Sequence, residues 1–168
     1  TTLAEGMNVS EVSDVALGFL QAVEVPIITN NGLLQDVRGD EVLAVFDTRP
    51  DDALRAGLAI LRSLREHNRE RAARGADALQ VGIGINTGTV ALGLVGGVNR
   101  MALTVIGDAV NLASRVESTT KRYYGSQLLI TEETRARLVD PARFGIRRME
   151  RVAVVNRRRP VMIHEVYD

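Results

Sequence analysis

Cysteine and tryptophan are absent from this chain of 168 residues, and aromatic residues make up only 4% of it. Without cysteine, the chain has no disulfide framework, no thiolate metal site and no cysteine nucleophile, which fits a reducing compartment such as the cytoplasm. The formal net charge is zero, so the chain lacks the basic excess typical of nucleic-acid-binding proteins. The low aromatic content likewise leaves little surface on which bases could stack. No apolar run is long enough to span a bilayer, and we expect no membrane contact within this chain.

The length and the 45% hydrophobic content predict a single domain over residues 1–168 with a substantial core. Strands that alternate with helices indicate an α+β fold, and we expect a ferredoxin-like β-α-β-β-α-β core with helices packed on an antiparallel sheet. The predicted helices are Ser10 to Ile28, Pro50 to Arg74, Asp108 to Arg122 and Glu132 to Leu138. The predicted strands are Leu33 to Val37, Glu41 to Phe46, Leu79 to Asn86, Val90 to Val95, Leu103 to Ile106, Gln127 to Ile130, Arg147 to Val154 and Val161 to Val166.

The segment from Thr104 to Glu117 reads Thr-Val-Ile-Gly-Asp-Ala-Val-Asn-Leu-Ala-Ser-Arg-Val-Glu and is the most informative part of the chain. It joins a short apolar strand, a glycine turn and an amphipathic helix for which Asp108 is a candidate N-cap. The apolar positions that recur at helical spacing, and therefore predict a core-facing side, are Ala109, Leu112, Ala113 and Val116. Asn111 and Arg115 lie one turn apart on the other side, where an amide and a fixed cation suit a developing negative charge. Spacing alone leaves an ordinary solvated helix face as the alternative.

This segment resembles the most recognisable part of the class III nucleotidyl cyclases, the catalytic domains of adenylate and guanylate cyclases. Those domains have a strand that ends in aspartate or threonine, then Gly-Asp or Gly-Asn, then Val-Asn-Leu/Val-Ala-Ser-Arg. All of these elements are present here. The resemblance covers Thr1 to Asp168 and is strongest between Gly39 and Thr131. It implies conversion of a purine nucleoside triphosphate, ATP or GTP, to the 3′,5′-cyclic monophosphate and pyrophosphate.

The resemblance also implies roles for individual residues. Arg115 would stabilise charge on the reacting phosphate, Asn111 would orient the ribose, and Thr104 would contact the purine base. Asp40 follows Gly39 at a predicted hairpin tip, where a carboxylate is by itself ordinary turn chemistry. In the family, the matching aspartate is one of two that hold a pair of divalent ions, so Asp40 is the candidate ligand for Mg²⁺ or Mn²⁺.

The first metal aspartate of the family has no counterpart in the printed sequence. It belongs to the pattern Asp-Ile-x-Gly-Phe-Thr-x-Leu, and Thr1-Thr2-Leu3 resembles only the tail of that pattern. We therefore expect the chain as printed to hold at most half of the metal site and to show little or no cyclase activity. An upstream extension that supplies the aspartate should restore the activity.

Two further positions depart from the family pattern. Asp36 stands where ATP-using cyclases commonly place lysine, and a carboxylate there suits the donors of guanine; a purine pocket that Asp36 no longer reads is the alternative. The lysine and glycine that grip the triphosphate are replaced by Val155 and Asn156. Arg157 is the candidate residue to bind the triphosphate in place of that lysine. The alternative is that the arginines form a solvated loop without a binding role.

The resemblance implies a homodimer with active sites at its interface, in the cytoplasm or in the cytoplasmic part of a larger, membrane-anchored protein with upstream regulatory domains. Arg38-Gly-Asp-Glu-Val42 resembles the Gly-Gly-Asp-Glu-Phe signature of the diguanylate cyclases, which have no counterpart of the segment from Thr104 to Glu117. A catalytically impaired homologue that acts as a dimerisation or nucleotide-sensing module is the stronger alternative. We expect the glycines of the central hairpin to form bends or bulges, namely Gly82, Gly84, Gly88, Gly93, Gly96 and Gly97. No partner pattern lies near His67 or His164 in the sequence, and we expect each to be a surface or packing residue.

Overall fold

The computed structural model describes residues 9–97, 100–123, 125–153 and 160–168. The helices are α1 (Val9–Thr29), α2 (Pro50–Ala73), α3 (Asp108–Thr119) and α4 (Glu132–Arg135), with short 3₁₀ helices at Thr120–Arg122 and Pro141–Arg143. The strands are β1 (Leu33–Arg38), β2 (Glu41–Val45), β3 (Ile83–Ile85), β4 (Ala91–Gly97), β5 (Arg100–Ile106), β6 (Leu128–Thr131), β7 (Gly145–Val152) and β8 (Val161–Tyr167). The expected α+β class is confirmed.

The strands form a four-stranded sheet in the order β3-β6-β8-β7 and two separate hairpins, β1-β2 and β4-β5. Strands β6 and β7 both pair with β8 in antiparallel fashion, whereas β3 and β6 are parallel. This parallel pair is an addition to the antiparallel arrangement that we expected. It arises because the chain crosses over between β3 and β6 through the β4-β5 hairpin and α3.

The core lies on both faces of β6. Leu128 and Ile130 point to one face and pack with α2, whereas Leu129 points to the other face and packs with Leu112 and Val116 of α3. This alternation follows from the two-residue period of a strand. Helix α1 packs on α2 through a further apolar cluster, in which the buried residues are Ala22, Val23, Ile27, Ile60 and Leu64. Helix α3 is therefore backed directly by the central sheet.

The first turn of α2 carries Asp51, as the sequence predicts, and this carboxylate also determines where α4 ends. Asp51 accepts hydrogen bonds from the backbone nitrogens of Val139 at 2.9 Å and of Asp140 at 3.0 Å. Burial raises the pKa of Asp51, but these backbone donors outweigh burial and hold that pKa below its ordinary value. Because the chain turns back to reach Asp51, α4 stops at Arg135 and the predicted extension to Leu138 is wrong.

Strand β3 is shorter than predicted, because the residues before it bond to a helix instead of a neighbouring strand. The backbone nitrogen of Leu79 donates to the side chain of Asn68 at 2.7 Å, and the Asn68 amide donates back to the Leu79 carbonyl at 2.9 Å. Only Ile83–Ile85 pair with β6.

Candidate active site

Helix α3 carries the two residues predicted to be catalytic. Leu112 and Val116 retain only 3% and 0% of their exposure, which confirms the predicted core-facing side of the helix. Asn111 is exposed and Arg115 is half-buried, so both lie on the side away from the core. The prediction that Asp108 is the N-cap is wrong, because Gly107 occupies that position and Asp108 is already helical. Its negative charge in the first turn still complements the helix dipole.

Strand β3 approaches α3 closely at Gly84. A Cβ atom added to Gly84 would lie 2.8 Å from the Cα of Glu117 and closer still to the Glu117 nitrogen and the Ala113 carbonyl oxygen. The expectation of a bend or bulge at Gly84 is wrong, because Gly84 is a regular residue of strand β3. Its lack of a side chain allows helix α3 to pack directly against the strand. Ala113 and Glu117 lie on the side of α3 opposite Arg115, because successive residues are 100° apart around a helix. Contact with β3 at Gly84 therefore directs Arg115 away from the sheet.

The first turn of α3 is joined to the ends of β3 and β6. The side-chain amide of Asn86 donates to the carbonyl oxygen of Ala109 at 3.1 Å and accepts from the hydroxyl of Thr131 at 2.8 Å. A cleft of about 560 Å³ opens beside these residues, between residues 86–89, the first turn of α3 and the start of α4.

Thr104, which the sequence predicts to contact the purine base, lies in β5 opposite Gly93 of β4 and is half-buried. Strand β5 leads directly into α3, so Thr104 and Asn111 belong to one continuous strand-turn-helix unit. Strand β1, which carries Asp36, contacts β5. The structure therefore brings the strands of both predicted purine-contacting residues next to each other.

The hairpin of β1 and β2 carries the predicted metal ligand. Arg38 pairs with Glu41, so Gly39 and Asp40 form the tip, as predicted. Gly39 has a φ of 63°, a left-handed conformation that glycine adopts without strain. Asp40 is exposed at this tip.

Asp36 is engaged by its own strand. The Nε atom of Arg38 donates to Asp36 Oδ2 at 2.6 Å; 75% of the Arg38 side chain is exposed, whereas the Asp36 side chain keeps 36% of its exposure. Residues two apart on a strand share a face, which explains the contact. A cation therefore accompanies the carboxylate at the position predicted to read the purine base.

Several predicted positions lie outside the described residues, namely Arg157, its neighbours Val155 and Asn156, and the segment Thr1-Thr2-Leu3. Their roles stay predictions. Within the described ranges, no three His, Asp or Glu side chains gather closely enough to hold a metal ion, and Asp40 contributes a single carboxylate at its turn. Over the same ranges, no helix combines the length and the apolar character needed to cross a bilayer.

A contact that the sequence did not reveal joins β8 to α4. His164 is buried, which agrees with the expected packing role, and its Nε2 lies 2.5 Å from Glu132 Oε2. Arg135 donates to the same carboxylate at 2.7 Å. The Arg135 hydrogen bond, followed by the one to His164, lowers the pKa of Glu132 to about 2 against the opposing effect of burial. The pair Glu132 and Arg135 is readable from helical spacing, but His164 is 32 residues away in sequence.

The amino-acid sequence of this chain is similar to those of known adenylate cyclases. The chain is 36% identical to an adenylate cyclase of Anabaena cylindrica, over 99% of this chain and 34% of that protein. It is 35% identical to the terminal-differentiation-specific adenylate cyclase of Dictyostelium discoideum, over 100% of this chain and 8% of that protein. The chain thus spans about a third or less of the length of these relatives.

Solved structures show the same fold. The crystal structure of the guanylyl cyclase Cya2 superposes with a TM-score of 0.83 at 32% identity, over 98% of this chain and 84% of that one. The adenylyl cyclase CyaB from P. aeruginosa superposes with a TM-score of 0.82 at 26% identity, over 99% and 87% of the two chains. A sequence model of the adenylate and guanylate cyclase catalytic domain matches residues 4–164. This chain therefore belongs to the adenylate and guanylate cyclase catalytic domain family.

Proposed function

We propose that this chain is the catalytic domain of a class III nucleotidyl cyclase, which converts ATP or GTP to the 3′,5′-cyclic monophosphate and pyrophosphate. Conversion of a nucleoside triphosphate to a cyclic nucleotide is the reaction of the family to which the chain belongs. The observation that carries the proposal is the outward face of α3. Asn111 and Arg115 lie there on a helix whose other side is buried against β3 and β6.

The reaction needs donors in fixed positions. The ribose 3′-oxygen attacks the α-phosphorus in line, the bond from that phosphorus to the leaving pyrophosphate breaks, and the 3′-hydroxyl proton passes to solvent water. Negative charge builds on the non-bridging oxygens of the α-phosphate. Arg115 is the donor that we assign to this charge, and Asn111 is the amide that we assign to the ribose. Preorganised donors of this kind are each worth about 3 kcal/mol in the transition state.

Enzymes of this family generally use divalent metal ions. The carboxylate of Asp40 is a hard oxygen ligand of the type that Mg²⁺ and Mn²⁺ prefer, and we propose it as one ligand of such an ion pair. One carboxylate does not make a metal centre, and the described residues add no cluster to it. The remaining ligands would therefore come from other parts of the protein. The steps assigned above accordingly rest on protein side chains alone.

Three observations bear on the choice of purine. The carboxylate of Asp36 favours guanine, whose N1 and N2 donate, but Arg38 already donates to that carboxylate at 2.6 Å. The hydroxyl oxygen of Thr104 can accept a hydrogen bond from the amino group of adenine, just as Asp36 can accept one from guanine. The relatives named above are adenylate cyclases, whereas Cya2 is a guanylyl cyclase. We propose ATP as the substrate and GTP as the alternative.

We further propose that two copies of the chain form a head-to-tail homodimer in the cytoplasm, with each active site completed by both copies. Support comes from the β4-β5 hairpin, where Leu92 and Ile106 keep 61% and 55% of their exposure. Exposed large apolar side chains next to a predicted site are typical of an interface between subunits. Sedimentation at micromolar concentration tests this proposal, and a strictly monomeric active enzyme contradicts it.

A catalytically impaired homologue is the second candidate. It is favoured by the ion pair between Asp36 and Arg38, which occupies a predicted base-reading group. Such a protein would bind the nucleotide and form dimers but would release no cyclic product.

A product assay on the complete protein separates the two candidates. Cyclic AMP and cyclic GMP are measured with ATP or GTP in the presence of Mg²⁺ or Mn²⁺. The enzyme proposal expects cyclic product that Asp40→Asn abolishes, while the matched change Asp47→Asn at another exposed loop aspartate has little effect. Nucleotide binding without product would favour the impaired homologue.

A further inference from the structure

A cluster of polar side chains lies at the C-terminal ends of the parallel strands β3 and β6, where it meets α3. Asn86 follows β3 directly, and its amide nitrogen Nδ2 lies 3.1 Å from the Ala109 carbonyl oxygen. Its oxygen Oδ1 accepts from the Thr131 hydroxyl at 2.8 Å. Because a backbone carbonyl only accepts hydrogen bonds, the amide nitrogen must face Ala109 and the amide orientation follows from the chemistry. A single side chain thus joins β3, β6 and α3.

The first turn of α3 has no side-chain cap at its N-terminus. The N-cap of α3 is Gly107, which has no side chain to bond the first-turn amides. The Ala109 carbonyl has two lone pairs, so it can accept from the helix backbone and from Asn86 together. Asn111 lies two residues beyond Ala109, and Arg115 lies on the same outward face one turn later. A shift of the first turn therefore moves both of their side chains.

We propose that Asn86 is a positioning residue for the cyclase reaction, which holds the first turn of α3 so that Asn111 and Arg115 meet the reacting phosphate and ribose. This inference rests on the proposed function. Asn86 itself does not contact the reacting atoms in this assignment. Its effect is geometric, and displacements of about 1 Å are sufficient to cost a large part of the rate.

The neighbouring residue Thr87 provides a matched control. Its hydroxyl donates to the hydroxyl of Thr134 at 3.1 Å, so it joins the same loop to α4 and not to α3. Thr87→Val removes a hydrogen bond of similar length from the same loop. The change Asn86→Asp keeps the shape of the side chain and the acceptor for Thr131, and it replaces the donor to Ala109 by a charged carboxylate oxygen. Asn86→Ser adds no charge, but its shorter side chain loses the bonds to both Ala109 and Thr131.

The experiment measures amide hydrogen exchange and steady-state kinetics on the complete protein. In both Asn86 variants, exchange of the amides of Leu112 and Ala113, whose helical acceptors are the carbonyls of Asp108 and Ala109, should rise roughly tenfold, because the first turn loses one part-buried contact. The kcat should fall by about tenfold or more, while KM stays within about threefold, since the lost geometry matters most in the transition state. Thr87→Val should leave both readouts near those of the unmodified protein.

Unchanged exchange in α3 in both Asn86 variants would overturn the proposal. A kcat loss of the same size in Thr87→Val would also overturn it, because general loosening of the loop would then explain the effect. If the unmodified protein makes no cyclic nucleotide, the proposed function fails. Raised exchange in the variants would then show a purely structural contact between Asn86 and α3, and the catalytic part of this proposal would be wrong.

Discussion

Helix α3 and the β1-β2 hairpin carry the two halves of the candidate active site, and they are held by very different amounts of surrounding structure. The inner side of α3 is buried against the four-stranded sheet and touches β3 at a glycine. The hairpin forms a sheet of only two strands, and its tip residue Asp40 is exposed. The half that presents neutral and cationic donors is thus rigidly backed, whereas the half that presents carboxylates projects outward.

This difference agrees with the separate roles of the two regions in the proposed reaction. Donors that stabilise a transition state work best when they need no rearrangement, and α3 provides that for Arg115. A carboxylate that binds an ion can complete its site with ligands from other parts of the protein. The comparison therefore predicts that changes near α3 affect both rate and stability, while changes in the hairpin leave stability nearly unaltered and act through metal binding or base selectivity.

Among changes that leave the proposed metal ligand Asp40 in place, the largest effect is expected from Arg115→Ala. Removing a donor that acts on developing charge should lower kcat by about 10²–10³-fold with only a small change in KM. Steady-state kinetics on the complete protein measures both quantities. Arg69→Ala is the matched control, because Arg69 is an exposed arginine on α2 that pairs only with Glu66 in the described structure. Equal losses in nucleotide binding and kcat would indicate that Arg115 is merely structural.

The next effect is on stability. Gly84→Ala would bring a Cβ atom to 2.8 Å from the Glu117 Cα and closer to other backbone atoms, so α3 or β3 must move. We expect a loss of about 2–3 kcal/mol in the free energy of unfolding, measured by urea denaturation. Gly93→Ala is the control, because a Cβ atom there would meet nothing within 4 Å. A neutral Gly84→Ala would show that α3 is not held as closely as its contact with β3 indicates.

A smaller effect concerns acid stability next to α3. The pKa of Glu132 falls from 4.5 to about 2 in the folded protein, mainly through its hydrogen bond with Arg135. A lowered folded-state pKa stabilises the protein above the unfolded value, and this contribution disappears as pH falls from about 4.5 towards about 2. Because 44% of the Glu132 side chain is exposed, we expect only about 1 kcal/mol.

Urea denaturation over that pH window measures this contribution in the parent protein and in Glu132→Gln. The free energy of unfolding of the variant should be lower at neutral pH than that of the parent protein. It should also fall less steeply as the pH is lowered through the acid range. Glu133→Gln, at the exposed neighbouring position, should leave the acid limb as it is. An unaltered pH profile in Glu132→Gln would show that the contact with His164 and Arg135 adds no net stability.

The smallest effect is expected in the hairpin. Arg38→Ala frees the Asp36 carboxylate from an exposed ion pair, so the free energy of unfolding should change by less than about 0.5 kcal/mol. If Asp36 reads the base, the ratio of turnover with GTP to turnover with ATP should rise by roughly threefold, since a free carboxylate accepts better from guanine. Arg49→Ala, at an exposed loop position, serves as the control. An unchanged ratio would show that Asp36 no longer contacts the purine.

Much of the fold could be predicted from local sequence patterns. The apolar period of the segment from Thr104 to Glu117 correctly identified the buried side of α3, because that side is defined by spacing along one helix. The Gly39-Asp40 tip was equally readable, since a turn depends on adjacent residues. The ends of α4 and β3 were mispredicted, because they depend on the distant partners Asp51 and Asn68.

The candidate site divides in the same way. Asn111 and Arg115 were identifiable because both belong to one helix and to one recognisable motif, although their catalytic roles stay predictions. Asn86 was read only as the end of a strand, since its partners Ala109 and Thr131 are 23 and 45 residues away. Gly84 was read as a bend, because nothing in its neighbourhood along the chain shows that a helix lies against it.

The amino-acid sequence by itself determined the family, the order of helices and strands, and the two faces of α3, all of which follow from motifs and periodicities within short segments. The tertiary structure alone decided how that helix is seated, through the close approach at Gly84 and the bonds of Asn86. It also decided that Asp36 pairs with Arg38 and that His164 meets Glu132. The physical reason is that side-chain pairing and close packing depend on distances through space, which chain spacing does not encode.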